Sequence, residues 1–174
     1  MKIASVAAVI VFSLIGRAQD PRSERVIQAL NELTAAMLQG NYARAVDLTH
    51  PKVLQVFGGR EKTIAAFKSG AESTHAETGL VPIGEKAEPP LGFWVGGSDV
   101  FTIVPVTGEG KLRGGKVVWK AHYIGISSDQ GKSWVFVNGL VFQNGKAPSP
   151  KDFFPNWPPA LQLPTRERGR FEPN

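Results

Sequence analysis

The chain contains no cysteine. Disulfides, thiolate zinc sites, cysteine nucleophiles and lipid attachment through a lipoprotein cysteine are excluded, so stability has to come from a packed core. Histidine is scarce: His50, His75 and His122 have no partner at metal-ligand spacing, and no metal or other cofactor is expected. Beyond the first residues no apolar run approaches the roughly 20 residues of a bilayer span, so none is expected once a leader is removed. No phosphate-binding glycine loop, metalloprotease motif, nucleotide fingerprint or Ser-His-Asp order occurs. The net charge of +5 comes without a basic stripe, which argues against nucleic acid as a partner.

What is present begins at the N-terminus. Met1-Lys2 is a short positive region, residues 3–15 are uncharged and mostly apolar, and Gly16-Arg17-Ala18 prepares a cut after Ala18. That is the pattern of a secretory leader. The expected organisation is a leader at 1–18, one domain at 19–145 and a tail rich in proline and aromatics at 146–174, in a secreted or periplasmic protein.

The hydrophobic period changes once, near Leu80. Asp20-Pro21 opens a helix as cap and first-turn proline, and Val26, Leu30, Leu33 and Met37 form its apolar stripe. Gly40 stops it, Asn41 caps a short second helix, and Pro51 ends that helix by His50. Residues 52–57 read as an apolar connector, Gly58-Gly59 as a turn, and residues 60–78 as a third helix with Ile64, Phe67 and Ala71 on one face. Strands are expected at 80–83, 93–95, 100–106, 116–126 and 134–142, with turn signals at Gly96-Gly97, Gly108-Glu109-Gly110 and Gly114-Gly115. Helices followed by strands predict an α+β domain, with the helices on one face of a mostly antiparallel sheet.

Ser127-Ser128-Asp129-Gln130-Gly131-Lys132-Ser133-Trp134 fits the Asp-box pattern. Asp129 can fold back onto turn amides, Gly131 allows positive φ, and Trp134 can pin the turn with its ring. The motif is similar to those of sialidases and other propeller enzymes, where it recurs in each blade. Here it occurs once and no internal repeat supports a propeller, so its expected role is structural.

The run Gly40-Asn41-Tyr42-Ala43-Arg44-Ala45-Val46-Asp47-Leu48-Thr49-His50-Pro51, followed by Gly58-Gly59 and a further helix, resembles the NTF2-like superfamily. That superfamily includes the SnoaL-like and ketosteroid-isomerase-like proteins. The resemblance implies N-terminal helices packed in a curled sheet, a cone with a ligand pocket between the two. It does not carry isomerase chemistry. Residues 52–57, where those enzymes hold an acidic base, contain no carboxylate, and the first helix contains no tyrosine.

Catalytic residues stay unassigned, with His50, Asp47 and His122 as the acid–base candidates. Backbone bonding by a corner histidine is the competing account of His50. Trp94, Trp119, Tyr123 and His75 are the candidates for lining a pocket. The pleat puts Val118, Lys120, His122, Ile124 and Ile126 on one face of strand 116–126 and Val117, Trp119, Ala121 and Tyr123 on the other. Both faces are partly apolar, so the one toward the helices stays open. The tail interleaves proline with Phe153, Phe154, Trp157, Leu161 and Leu163. Residues 151–163 are expected to wrap back on the domain or cover a sheet edge, and residues 165–174 to be mobile. The leading expectation is an exported NTF2-like module that binds a small-molecule ligand or serves as an accessory domain. The alternatives are a SnoaL- or isomerase-like enzyme using His and Asp groups, and an interaction protein using the tail. A homodimer is the other partner admitted.

Overall fold

The computed structural model describes residues 20–142, 149–165, 167 and 169–174. The leader at 1–18, the start of the tail at 146–148, Arg166 and Arg168 lie outside them. Among the described residues no helix is long and apolar enough to cross a membrane.

Helix α1 (Pro21–Leu38) begins where the sequence places it. The Asp20 carboxylate accepts the Arg22 N–H at 2.9 Å, and Pro21 occupies the first turn. Val26, Leu30 and Leu33 are buried along one stripe. Asn41 caps α2 (Tyr42–Asp47). The expected connector is instead a helix, α3 (Pro51–Phe57). His50 Nδ1 accepts the Lys52 N–H at 3.2 Å, Pro51 takes the first turn, and Gly58 ends it at a φ of 84°. Two turns of helix offer too few repeats for periodicity to register. The next helix, α4 (Arg60–Thr78), fully buries only Thr63.

Six strands follow: β1 (Val81–Ala87), β2 (Phe93–Gly96), β3 (Asp99–Leu112), β4 (Gly115–Ser127), β5 (Val135–Asn138) and β6 (Arg170–Pro173). They form one sheet in the order β1-β3-β4-β5, with β2 also on β3 and β6 also on β4. Every strand pair is antiparallel. The outer rows β1 and β5 do not pair, so the sheet is open and uncurled, and the expectation of an NTF2-like cone is corrected to an open-sheet α+β fold. The cause is visible in the central ladder. β3 and β4 run from Val100↔Ser127 to Leu112↔Gly115 with no bulge, and a sheet lacking bulges and kinks in its middle twists without curling shut.

Three strand ends differ from expectation: β1 runs on to Ala87, β3 runs on to Leu112 and β5 stops at Asn138. The 3-10 turn Gly139–Phe142 cuts short the strand expected to reach residue 142. Gly108-Glu109-Gly110 is not a turn but lies within β3, near its C-terminal end. A Cβ at Gly108 would collide with the Trp119 indole, and one at Gly110 would stand 3.3 Å from the same ring. The glycines are a seat for Trp119. Gly108→Ala is expected to unseat the indole and cost about 1–3 kcal/mol by overpacking. A red-shifted Trp emission and a lower denaturant midpoint would report this, and an unchanged spectrum and midpoint would contradict the seat.

Both faces of the sheet are apolar, and both are covered. On one, Val26, Leu30 and Leu33 of α1, with Ala45 and Leu48, pack against Val100, Val104, Val106, Trp134 and Phe136. On the other, Phe101, Ile103, Ile124, Ile126 and Val137 lie under Phe153, Phe154, Trp157 and Leu161 of the tail. The tail opens with α5 (Pro150–Phe153), held by a reciprocal Ser149–Asp152 capping box. It is pinned further by Trp157 Nε1 donating to the Leu161 carbonyl at 3.2 Å and by Lys52 Nζ donating to the Phe153 carbonyl. The tail thus covers a face rather than an edge. With Phe154 4% and Leu161 3% exposed, these side chains are core, which corrects the reading of the tail as a partner-docking segment. Its end is not the mobile stretch expected either: β6 pairs with β4 from Val118↔Arg170 to Gly115↔Pro173, with Lys116 bridging to Glu172 at 3.1 Å.

The Asp-box turn closes β4 to β5. Asp129 Oδ1 accepts the Lys132 and Ser133 N–H groups at 3.0 and 2.9 Å, and Oδ2 accepts the Ser133 hydroxyl at 2.7 Å. The Ser133 bonds, with Ser127 and Lys132 behind them, hold its carboxyl well below the usual carboxylate range. Gly131 has a φ of 89° and lies so close to α1 that a Cβ would stand 2.6 Å from the Arg22 side chain. Trp134 is buried in the helix-side core, 5.8 Å from the Phe93 ring.

Candidate functional site

Helix α4 packs chiefly on α2 and α3 rather than on the sheet. Its Phe67 reaches the helix-side core only partly, and Ala71 is exposed. A cleft of about 350 Å³ opens there, with Met37, Leu38, Tyr42, Ala71, Trp119 and Tyr123 among its lining residues. A second cleft of about 200 Å³ shares Met37 and Tyr123 with it and continues toward Phe57 and Phe67. The walls are mainly aliphatic and aromatic.

One polar cluster breaks that lining. The Tyr123 hydroxyl donates to Glu85 Oε2 at 3.0 Å, and the Trp119 side chain also hydrogen-bonds to Glu85. Glu85 comes from β1, Trp119 and Tyr123 from β4, and the row Glu85↔Gly108↔Trp119 spans the sheet through the seat glycine. Burial pushes the Glu85 carboxyl up, against the two hydrogen bonds that favour its charged form. The Tyr123 hydroxyl is pushed well above its ordinary value, first by burial and then by the Glu85 charge. Such a pair can offer a donor, an acceptor or a negative charge to whatever enters the cleft.

Sequence reasoning missed Glu85 because it ended the first strand at Ile83 and read its partner glycines as a turn. The available signal was the inward parity of Glu85 once β1 is extended to Ala87. The strand face left open is settled: Trp119 and Tyr123 face the helices, while His122, Ile124 and Ile126 face the tail. Trp94 packs with the tail-side cluster, away from the cleft. His75 is exposed, its Nδ1 lying 3.3 Å from the Leu80 carbonyl.

The acid–base candidates are not brought together. His50 caps α3, half-buried, with its ring edge-on to Phe154 at 5.1 Å. Asp47 is a surface partner of Arg60 at 2.9 Å. His122 lies under the tail, its Nε2 without a hydrogen-bond partner and so close to Gly139 that a Cβ there would strike the ring. It lines a separate cleft of about 240 Å³ that does not include His50. The isomerase-like enzyme built on these groups is therefore corrected. Among the described residues no three His, Cys, Asp or Glu side chains gather as a metal would require. Comparison with protein-family models, curated proteins and solved structures finds no match for this chain, and together with the open sheet this withdraws the NTF2-like assignment and the cone pocket that it implied.

Proposed function

We propose that the protein is exported and binds a small, mainly apolar molecule in the cleft between α1, α4 and the sheet, with Glu85 and Tyr123 as its polar contact. The observation that carries this reading is the Glu85–Tyr123 bond at 3.0 Å inside an otherwise apolar lining. Burying a carboxyl costs stability that an apolar side chain at the same place would not cost. A few convergent polar groups in an apolar cleft are the usual composition of a small-ligand site. The site uses none of the His and Asp groups singled out from the sequence, and it lies on the helix side of an open sheet.

The test is nuclear magnetic resonance of labelled protein against a library of small aromatic and alicyclic compounds. Binders are expected to shift the Trp119 indole N–H and the Met37 methyl. Ala71→Trp fills the cleft from an exposed helix position and is expected to remove those shifts while the fold persists. Absence of any shift at Trp119 and Met37, or binding undiminished in A71W, would reject the reading.

A further inference from the structure

We propose that the molecule taken up by this cleft is a small organic cation, an ammonium group on an apolar body, with its charge beside the Glu85 carboxylate and the rings of Trp119 and Tyr123. The inference rests on the cleft reading above and adds the chemical class of ligand.

Three observations point to a cation. First, Glu85 has no counter-charge of its own: among the described residues it makes no ion pair, whereas Glu32, Asp47 and Glu172 each bond to an arginine or lysine. Its partners are the neutral Tyr123 hydroxyl and the Trp119 side chain. Second, the walls beside it are aromatic, with Trp119 and Tyr123 next to the carboxyl and Tyr42 also lining the cleft. Aromatic faces attract cations, and most strongly where water is excluded. Third, nothing in the lining repels one. The titratable groups that face the cleft are Tyr42 from α2, Glu85 from β1 and Tyr123 from β4; α1 contributes Thr34, Met37 and Leu38, and α4 contributes Ala71. An anion would meet the Glu85 charge with no lysine or arginine to offset it. A neutral ligand would leave that charge without a partner, and a charge-assisted bond is the stronger contact.

The raised carboxyl pKa gives the site a proton balance. A bound cation favours the charged form of this carboxyl, so its binding strengthens as pH rises through the Glu85 titration.

Calorimetric titration with benzyltrimethylammonium, phenethylamine and 2-phenylethanol tests this. Both cations are expected to bind about tenfold or more tighter than the alcohol. Glu85→Gln is expected to erase that preference while keeping a hydrogen-bond acceptor for Tyr123. A second arm uses the unaltered protein: benzyltrimethylammonium has a permanent charge, so a rise of its affinity with pH, absent for the alcohol, belongs to the protein. Equal affinity for alcohol and cations, or a cation preference that survives in Glu85→Gln, overturns the cation proposal and leaves the cleft reading standing. No binding of any of the three, with no library compound shifting Trp119, overturns both.

Discussion

Replacing Phe154 with alanine lowers the free energy of unfolding by about 3–5 kcal/mol, the usual cost of truncating a buried aromatic ring. Phe154 is 4% exposed and meets five rings: His50 at 5.1 Å, Phe101 at 5.7 Å, Phe142 at 6.3 Å, Phe153 at 4.9 Å and Trp157 at 6.0 Å. Three of those neighbours, Phe101, Phe142 and His50, belong to the body of the domain, so the ring joins the tail layer to the sheet and to the start of α3. Truncation leaves a cavity that rigid strands on one side cannot close. Guanidinium unfolding followed by fluorescence and circular dichroism reads the loss. A cost under about 1 kcal/mol, the range of a surface change, would show that the tail is not part of the cooperative core.

Acid weakens the fold before the ordinary carboxylates titrate. Burial pushes the His50 imidazole down to about 4, with Lys52 adding to the effect and Asp99 opposing it. His122 is pushed down by burial alone. Both prefer the neutral form when folded, so their contribution is complete above the unfolded value near 6.5 and is lost as pH falls toward the folded value. For His50 that window runs from 6.5 to about 4, a ceiling of about 3 kcal/mol. The structural reason is direct: protonated Nδ1 can no longer accept the Lys52 N–H, so α3 loses its cap and a charge appears against Phe154. Glu85 acts in the opposite sense, since its folded carboxyl is raised, and returns part of the loss as pH falls. Denaturant midpoints measured from pH 7 to pH 4.5 should fall in the unaltered protein and fall less in His50→Gln, which keeps an acceptor and cannot titrate. Parallel profiles for the two proteins would remove His50 as the cause.

Local structure was legible where a side chain or glycine acts on its own backbone. Asp20 and Asn41 cap their helices, Gly79 ends α4, and Asp129 gathers the turn amides, because each signal needs only a few neighbouring residues. The same locality explains the failure of the resemblance. Gly40-Asn41-Tyr42 and His50-Pro51 encode helix ends, and helix ends do not determine whether a distant sheet curls. That property lies in the unbroken β3–β4 ladder, which no short motif announces. Gly108 and Gly110 were misread because glycine signals both a turn and a close approach, and only the position of Trp119 distinguishes them. Glu85 was missed for the same reason one strand further out. The two-sided apolar pattern of β4 could have suggested two covers, but it did not say that the tail supplies one of them.

That second cover sets an order of events during synthesis. Residues 149–163 are made after β3, β4 and β5, so Phe101, Ile103, Ile124 and Ile126 have no lid while the chain is growing. The strands can pair and α1 can dock, yet the domain holds an oily, sticky surface until the last stretch arrives. A chain cut short before Pro150 would carry that surface permanently.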